Sequence, residues 1–225
     1  MTETLIQAEA LCRTYLQGGL QVAALIAANF RIRKGDRIAI VGRSGSGKST
    51  LMHLIAGLDL PTSGTLEWPG LGSREELLPN RVALVFQAPS LLAPLTVEEN
   101  VTLPLLMGRV ETGIAEAVSS ALATFQLSDL AQKLPEELSG GQLQRVALAR
   151  AIAGKPSLIL ADEPTGQLDQ QTSRTVLDAL LGHLEGTDTA LVISTHDASV
   201  AQRMRTTWQL QYGVLTHADN HGSGA

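Results

Sequence analysis

Gly42-Arg43-Ser44-Gly45-Ser46-Gly47-Lys48-Ser49-Thr50 is the stretch from which the rest of the chain can be read. An apolar, β-prone run from Arg37 to Val41 precedes it, and Lys48 to Ala56, of helix-forming composition, follows it up to Gly57. Glycines at this spacing let the backbone wrap closely around an anion with its N–H groups turned inward, and the N-terminus of the helix that follows adds its positive dipole end. Lys48 supplies a cation for the terminal phosphates of a nucleotide, and the Ser49 hydroxyl is suited to ligate Mg²⁺. The strand before and the helix after are the context that separates a P-loop from an ordinary Gly-rich turn. Gly42, Ser44, Gly45, Gly47, Lys48, Ser49 and Thr50 are therefore expected to hold a nucleoside triphosphate.

Outward from this loop, Leu5 to Leu11 and Ala28 to Ile32 are short β-prone runs, and Lys34-Gly35-Asp36 turns the second into Arg37 to Val41. Pro61-Thr62-Ser63-Gly64 turns into a strand at Thr65 to Trp68, and Val82 to Phe86 reads as another. From Ala88 to Pro135 strand signals fade, while Ile114 to Gln126 and the segment after Ser139 have helical composition. Strands return at Leu158 to Ala161 and Leu191 to Ser194, alternating with a helical run near Thr172 to Leu184, the pattern of a parallel sheet with crossover helices. The expected fold is α/β. The Gly/Ser/His-rich stretch from Asn220 to Ala225 reads as a disordered tail.

A net charge of −5 over 225 residues, without a run of Lys or Arg, argues against a nucleic-acid partner. No stretch approaches the roughly 18 consecutive apolar residues of a membrane span. Glu3 stands where a secretory signal would carry positive charge, so a cytosolic location is expected. Cys12, the one cysteine, reads as a small buried side chain.

Two further groups carry chemistry. Leu158-Ile159-Leu160-Ala161-Asp162-Glu163 is an apolar strand ending in two acids. Asp162 there can hold Mg²⁺ directly or through water, and Glu163 can orient and deprotonate an attacking water, although such a pair can also cap the next helix. Leu138-Ser139-Gly140-Gly141-Gln142 opens a helical run, so Ser139 and the glycines lie at a helix N-terminus with unpaired N–H donors. One triphosphate is already served by the P-loop, so a second phosphate-ready helix end suggests a nucleotide presented by another chain.

P-loop, LSGGQ and LILADE in that order resemble the nucleotide-binding domains of ABC transporters, over residues 5 to about 216. The resemblance implies a RecA-like P-loop core with a small antiparallel β portion and an inserted helical lobe. In that reading 1–87 and 155–216 form the core, 88–154 the lobe and 217–225 the tail. By position it makes Gln87 the Q-loop glutamine, a Mg²⁺ or water contact, and Asp169 the D-loop aspartate. His196 becomes the switch histidine at the γ-phosphate, and Tyr15 the aromatic that stacks on adenine. It implies ATP and Mg²⁺ as ligands, hydrolysis to ADP and phosphate, and a head-to-tail dimer. In each site Lys48, Ser49, Gln87, Asp162, Glu163 and His196 come from one chain, and Ser139, Gly140, Gly141, Gln142 and Asp169 from a second copy. A transmembrane permease subunit would place the protein on the inner face of the membrane.

Ala161 to Asp169 and Glu99 to Leu106 resemble the subgroup of lipoprotein-releasing and macrolide-exporting ATPases, which implies export or envelope-type cargo. An ATPase that signals or serves cell division without moving cargo is the alternative. Two departures stand out: Gln167 replaces the subgroup's usual Asn, and the stretch between Gly64 and Gln87 is shorter than usual.

Overall fold

The structure is a computed structural model that describes residues 3–108 and 112–219; the expected tail at 220–225 lies outside them. Along the chain run strands β1 (Thr4–Gln17), β2 (Leu20–Arg33) and β3 (Arg37–Val41), then helix α1 (Lys48–Ile55). Strands β4 (Ser63–Glu67) and β5 (Val82–Val85) precede helices α2 (Val97–Met107), α3 (Ile114–Thr124) and α4 (Gly140–Ala153). Then come β6 (Leu158–Asp162), α5 (Gln170–Leu184), β7 (Ala190–Thr195), the short α6 (Ala198–Ala201), β8 (Thr206–Gln211) and β9 (Val214–Asp219). The α/β class follows from this order.

Two compact units divide the chain: residues up to Leu77 with those from Ala190 onward, and Leu78–Thr189. In the first, β8 and β7 flank β3 in parallel, and the antiparallel strands β4, β1 and β2 continue the order from β9. Ile38, Ala39 and Ile40 on β3 are buried, as a parallel strand covered on both faces must be. Trp208 is buried between Phe30 and His217, with ring centroids 5.2 and 5.1 Å away. In the second unit β5 pairs in parallel with β6, and α4 packs on β5, α2, α3 and α5.

Several elements depart from expectation. β1 and β2 are each 14 residues long, because Gly18 and Gly19, both at positive φ, form a two-residue turn that pairs Gln17 with Leu20 and extends the hairpin. Their apolar pattern is interrupted by bulges at Ala10 and Ala27 (φ 46 and 44), where the register shifts. Cys12 is only half-buried: it lies within this irregular stretch, and its sulfur accepts the Ala27 N–H at 3.2 Å. The sequence predicts no helix over α2, which has Pro104 inside it, yet a capping box marks its start, with Thr96 Oγ1 accepting from Glu99 N–H and Glu99 from Thr96 N–H. The sequence predicts no strand over the antiparallel β8–β9 hairpin, and its second strand runs to Asp219, past residue 216. The segment after Gly64 folds back on α1: Trp68 Nε1 donates to Ile55 O at 2.8 Å and Arg74 Nε to Gly57 O at 2.6 Å, satisfying carbonyls at the helix end.

Candidate nucleotide site

In the first unit the P-loop leaves β3 at Gly42 and enters α1 at Lys48. Gly47, the N-cap of α1, has φ 106, and a Cβ there would collide with the Ala24 carbonyl of β2 and approach Leu210 at 3.4 Å. Glycine is thus required both for the backbone angle and for the closeness of β2. Lys48 is buried to 7% exposure, and its Nζ donates to the Gly42 and Arg43 carbonyls at 2.9 and 3.3 Å, so the cation lies within the loop expected to receive phosphates. Ser49, next on α1, is exposed. His196 follows β7, is exposed, and lines one cleft of about 660 Å³ with Val41 to Ser46 and the β8–β9 turn. Asp197 beside it caps α6, and its carboxyl is held below the ordinary range chiefly by Ser199, with smaller help from His196.

Tyr15 lies on β1 opposite Val22, two residues along β2 from the Ala24 that Gly47 abuts. One strand spacing and two residue rises put it about 8 Å from that contact, the kind of span that ribose bridges between base and phosphates. The Arg13 guanidinium lies over the Tyr15 ring, 4.5 Å from the centroid, and the hydroxyl donates to Asp59 Oδ2 at 2.7 Å. Arg13 also pairs with Asp59 Oδ1 at 2.7 Å. Burial pushes the Asp59 carboxyl up, but the Tyr15 hydroxyl, the Leu60 N–H and Arg13 outweigh it and hold it below the usual value. Nothing in the sequence links Asp59 to Tyr15 across 44 residues.

In the second unit β6 ends at Asp162, and Glu163 takes φ 46, a left-handed backbone seldom adopted by a side chain larger than glycine. Strain of this kind concentrates where a side chain must be aimed. Gln87, two residues beyond β5, brings Nε2 to 3.3 Å from Glu163 Oε2, because β5 pairs with β6 in register from Val82–Leu158 to Val85–Ala161. The glutamine and the expected base are thus joined by parallel pairing.

Ser139 caps α4, accepting from Gln142 N–H at 3.3 Å while Gln142 Oε1 accepts Ser139 N–H at 2.8 Å. Both Ser139 and Gly140 are exposed. Leu168 approaches to 3.3 Å of where a Gly141 Cβ would lie, so the segment that ends at Asp169 packs on Gly141. Asp169 itself caps α5, accepting the Thr172 hydroxyl at 2.5 Å and the Thr172 N–H at 3.0 Å, and these lower its carboxyl. Its carboxylate is accounted for as a helix cap, independently of any ligand.

The family model described as ABC transporter matches residues 25–166. The chain belongs to the ABC transporter family. As a member it is an ATP-binding, ATP-hydrolysing nucleotide-binding subunit. This cassette is similar, at 34% identity and TM-score 0.88, to the ATP-binding cassette MJ0796 in a dimeric post-hydrolysis state bound to ADP and Pi; the match covers 97% of this chain and 100% of that one. A second dimeric structure of MJ0796, a bacterial ABC transporter cassette, matches at 35% identity and TM-score 0.85 over the same shares. The cassette is also similar, at 26% identity and TM-score 0.83, to cbiO1 from Clostridium perfringens, part of the ABC transporter complex cbiONQ, over 97% of this chain and 89% of that one. Among the described residues no helix is long and apolar enough to cross a membrane.

Proposed function

We propose that two copies of this cassette close head to tail around two ATP molecules and so drive a separate transmembrane permease, with export of an envelope-type substrate as the transport reaction. Lys48 and the P-loop backbone hold the β- and γ-phosphates, Tyr15 stacks on the base, and Glu163 takes the proton of the attacking water. Gln87 orients that water and His196 contacts the γ-phosphate. Ser139 to Gln142 and Asp169 serve the nucleotide held by the other copy. The observation that supports this most is the exposed N-terminus of α4, where Ser139 caps the Gln142 N–H and the first N–H groups, at the glycines, have no partner within the helix.

Mg²⁺ fits the residues on hand. The Ser49 hydroxyl and the Asp162 carboxylate are hard oxygen donors of the kind that Mg²⁺ takes while keeping waters and phosphate oxygens in its shell, and it would neutralise phosphate charge. The permease would hold the protein at the inner face of the membrane. The cbiONQ likeness supports such a partner, and the likeness of residues 99–106 and 161–169 to exporting ATPases supports the direction.

Glu163→Gln tests the reading. It keeps the shape and the Gln87 contact but removes the base, so ATP still binds while turnover falls by about 10²- to 10⁴-fold. The variant should accumulate as an ATP-bound dimer by light scattering, and adding Ser139→Arg should abolish that dimer by filling the helix end. Parental turnover would remove Glu163 from the mechanism, and a monomer in ATP would count against the shared site.

A further inference from the structure

Arg13, Tyr15 and Asp59 form a closed set of contacts that neither the phosphate loop nor the acid pair uses. Strand alternation places Arg13 and Tyr15 on one side of β1, the guanidinium over the ring. Asp59 arrives from the far end of α1, where its N–H donates to His53 O at 3.3 Å. The segment after it is tied back to β1, with Thr62 N–H donating to Cys12 O at 2.8 Å and Thr14 N–H to Thr62 Oγ1 at 3.0 Å. One carboxylate oxygen accepts the Tyr15 hydroxyl, and the other takes Arg13 and the Leu60 N–H, the latter at 2.7 Å. The phenol ring has two torsions; held at its hydroxyl and covered by a cation on one face, it can exercise neither.

We infer that Asp59 and Arg13 are positioning residues that set Tyr15 as a rigid platform for the nucleobase of ATP, and that Asp59 couples this platform to the helix beginning at Lys48. The inference rests on the stacking role proposed for Tyr15. A ring already immobile before binding loses no further rotamer freedom when a base stacks on it, so more of the stacking energy survives as affinity. The connection through Asp59 also keeps base platform and phosphate loop in one register, because the two ends of α1 belong to one short rigid helix.

Calorimetry on the whole chain with two probes, ATP and inorganic tripolyphosphate, separates the base from the phosphates. Tyr15→Phe and Asp59→Ala should each weaken ATP by about fivefold, the factor that corresponds to ordering one freed side chain on binding. The double variant should be no weaker than Asp59→Ala alone, which has already lost the Tyr15 hydroxyl contact. Tripolyphosphate affinity should stay at the parental value in all three. Tyr15→Ala, which removes the platform itself, should weaken ATP further. Parental ATP affinity in Asp59→Ala, alongside a loss in Tyr15→Ala, would overturn the clamp and leave the platform standing. Parental affinity in Tyr15→Ala would remove the platform and the clamp with it. Equal losses for both probes would place Asp59 in the fold or the phosphate loop and overturn the inference as well.

Discussion

Asn100 offers the sharpest test of how the segment behind Gln87 is held. It is fully buried on α2, and its Nδ2 lies 3.1, 2.9 and 3.0 Å from the carbonyls of Leu92, Leu95 and Thr96, while its Oδ1 accepts the Leu92 N–H at 2.8 Å. A primary amide has two donor hydrogens, so three hydrogen bonds are the working count. At about 1 kcal/mol net for each, Asn100→Leu, which nearly conserves volume, should destabilise by about 3 kcal/mol. At this chain length that is a fall in Tm of about 6 to 12 °C by calorimetry or circular dichroism. Asn100→Asp separates hydrogen bonding from packing, because it turns a carboxylate toward three carbonyl oxygens. The introduced carboxyl should titrate above its unfolded value in the folded state. Its contribution is then fully present below about pH 4 and is lost as pH rises through the raised value. The aspartate variant should therefore recover stability on acidification relative to the parent. A loss under about 1 kcal/mol for the leucine variant, or an aspartate variant that matches the parent at pH 7, would refute the claim that this amide staples the loop.

Three other outcomes follow from particular contacts. Lys48→Ala should sharply weaken ATP binding by calorimetry, because it removes the cation held inside the P-loop; unchanged affinity would contradict that role. Gly47→Ala meets a left-handed backbone and the Ala24 carbonyl together, so a loss of about 2 kcal/mol or more in chemical denaturation is expected, with ATP affinity falling alongside. His183 on α5 has its pKa held below the ordinary 6.5, first by burial and then by Lys155. The unfolded chain therefore takes up its proton before the folded one does, and stability should fall as pH drops through about 6.5 toward the folded value. His183→Gln should flatten that part of the stability–pH curve; an unchanged slope would assign it to other groups.

Local patterns sufficed wherever an element and the turn beside it lie in consecutive residues. The P-loop between β3 and α1, the acids ending β6 and the Ser139 cap of α4 were all legible, because backbone N–H groups at a helix start and carboxylates at a strand end follow from a few neighbouring positions. β6 and β7 were recognisable for the same reason, as short apolar runs bounded by polar turns. The lengths of β1 and β2 were not, since bulges at Ala10 and Ala27 break the alternation that a strand assignment relies on. Nor was α2, where Pro104 masked a helix that tertiary packing against α4 sustains. The site shows the same division. Chain order located Gln87 and Glu163, but only the parallel pairing of β5 with β6 brings their side chains to 3.3 Å. The partners of Asp59 and Asn100 were invisible in the sequence, because a buried or clamped polar group is defined by neighbours that the fold delivers to it, and no periodicity within the sequence encodes that encounter.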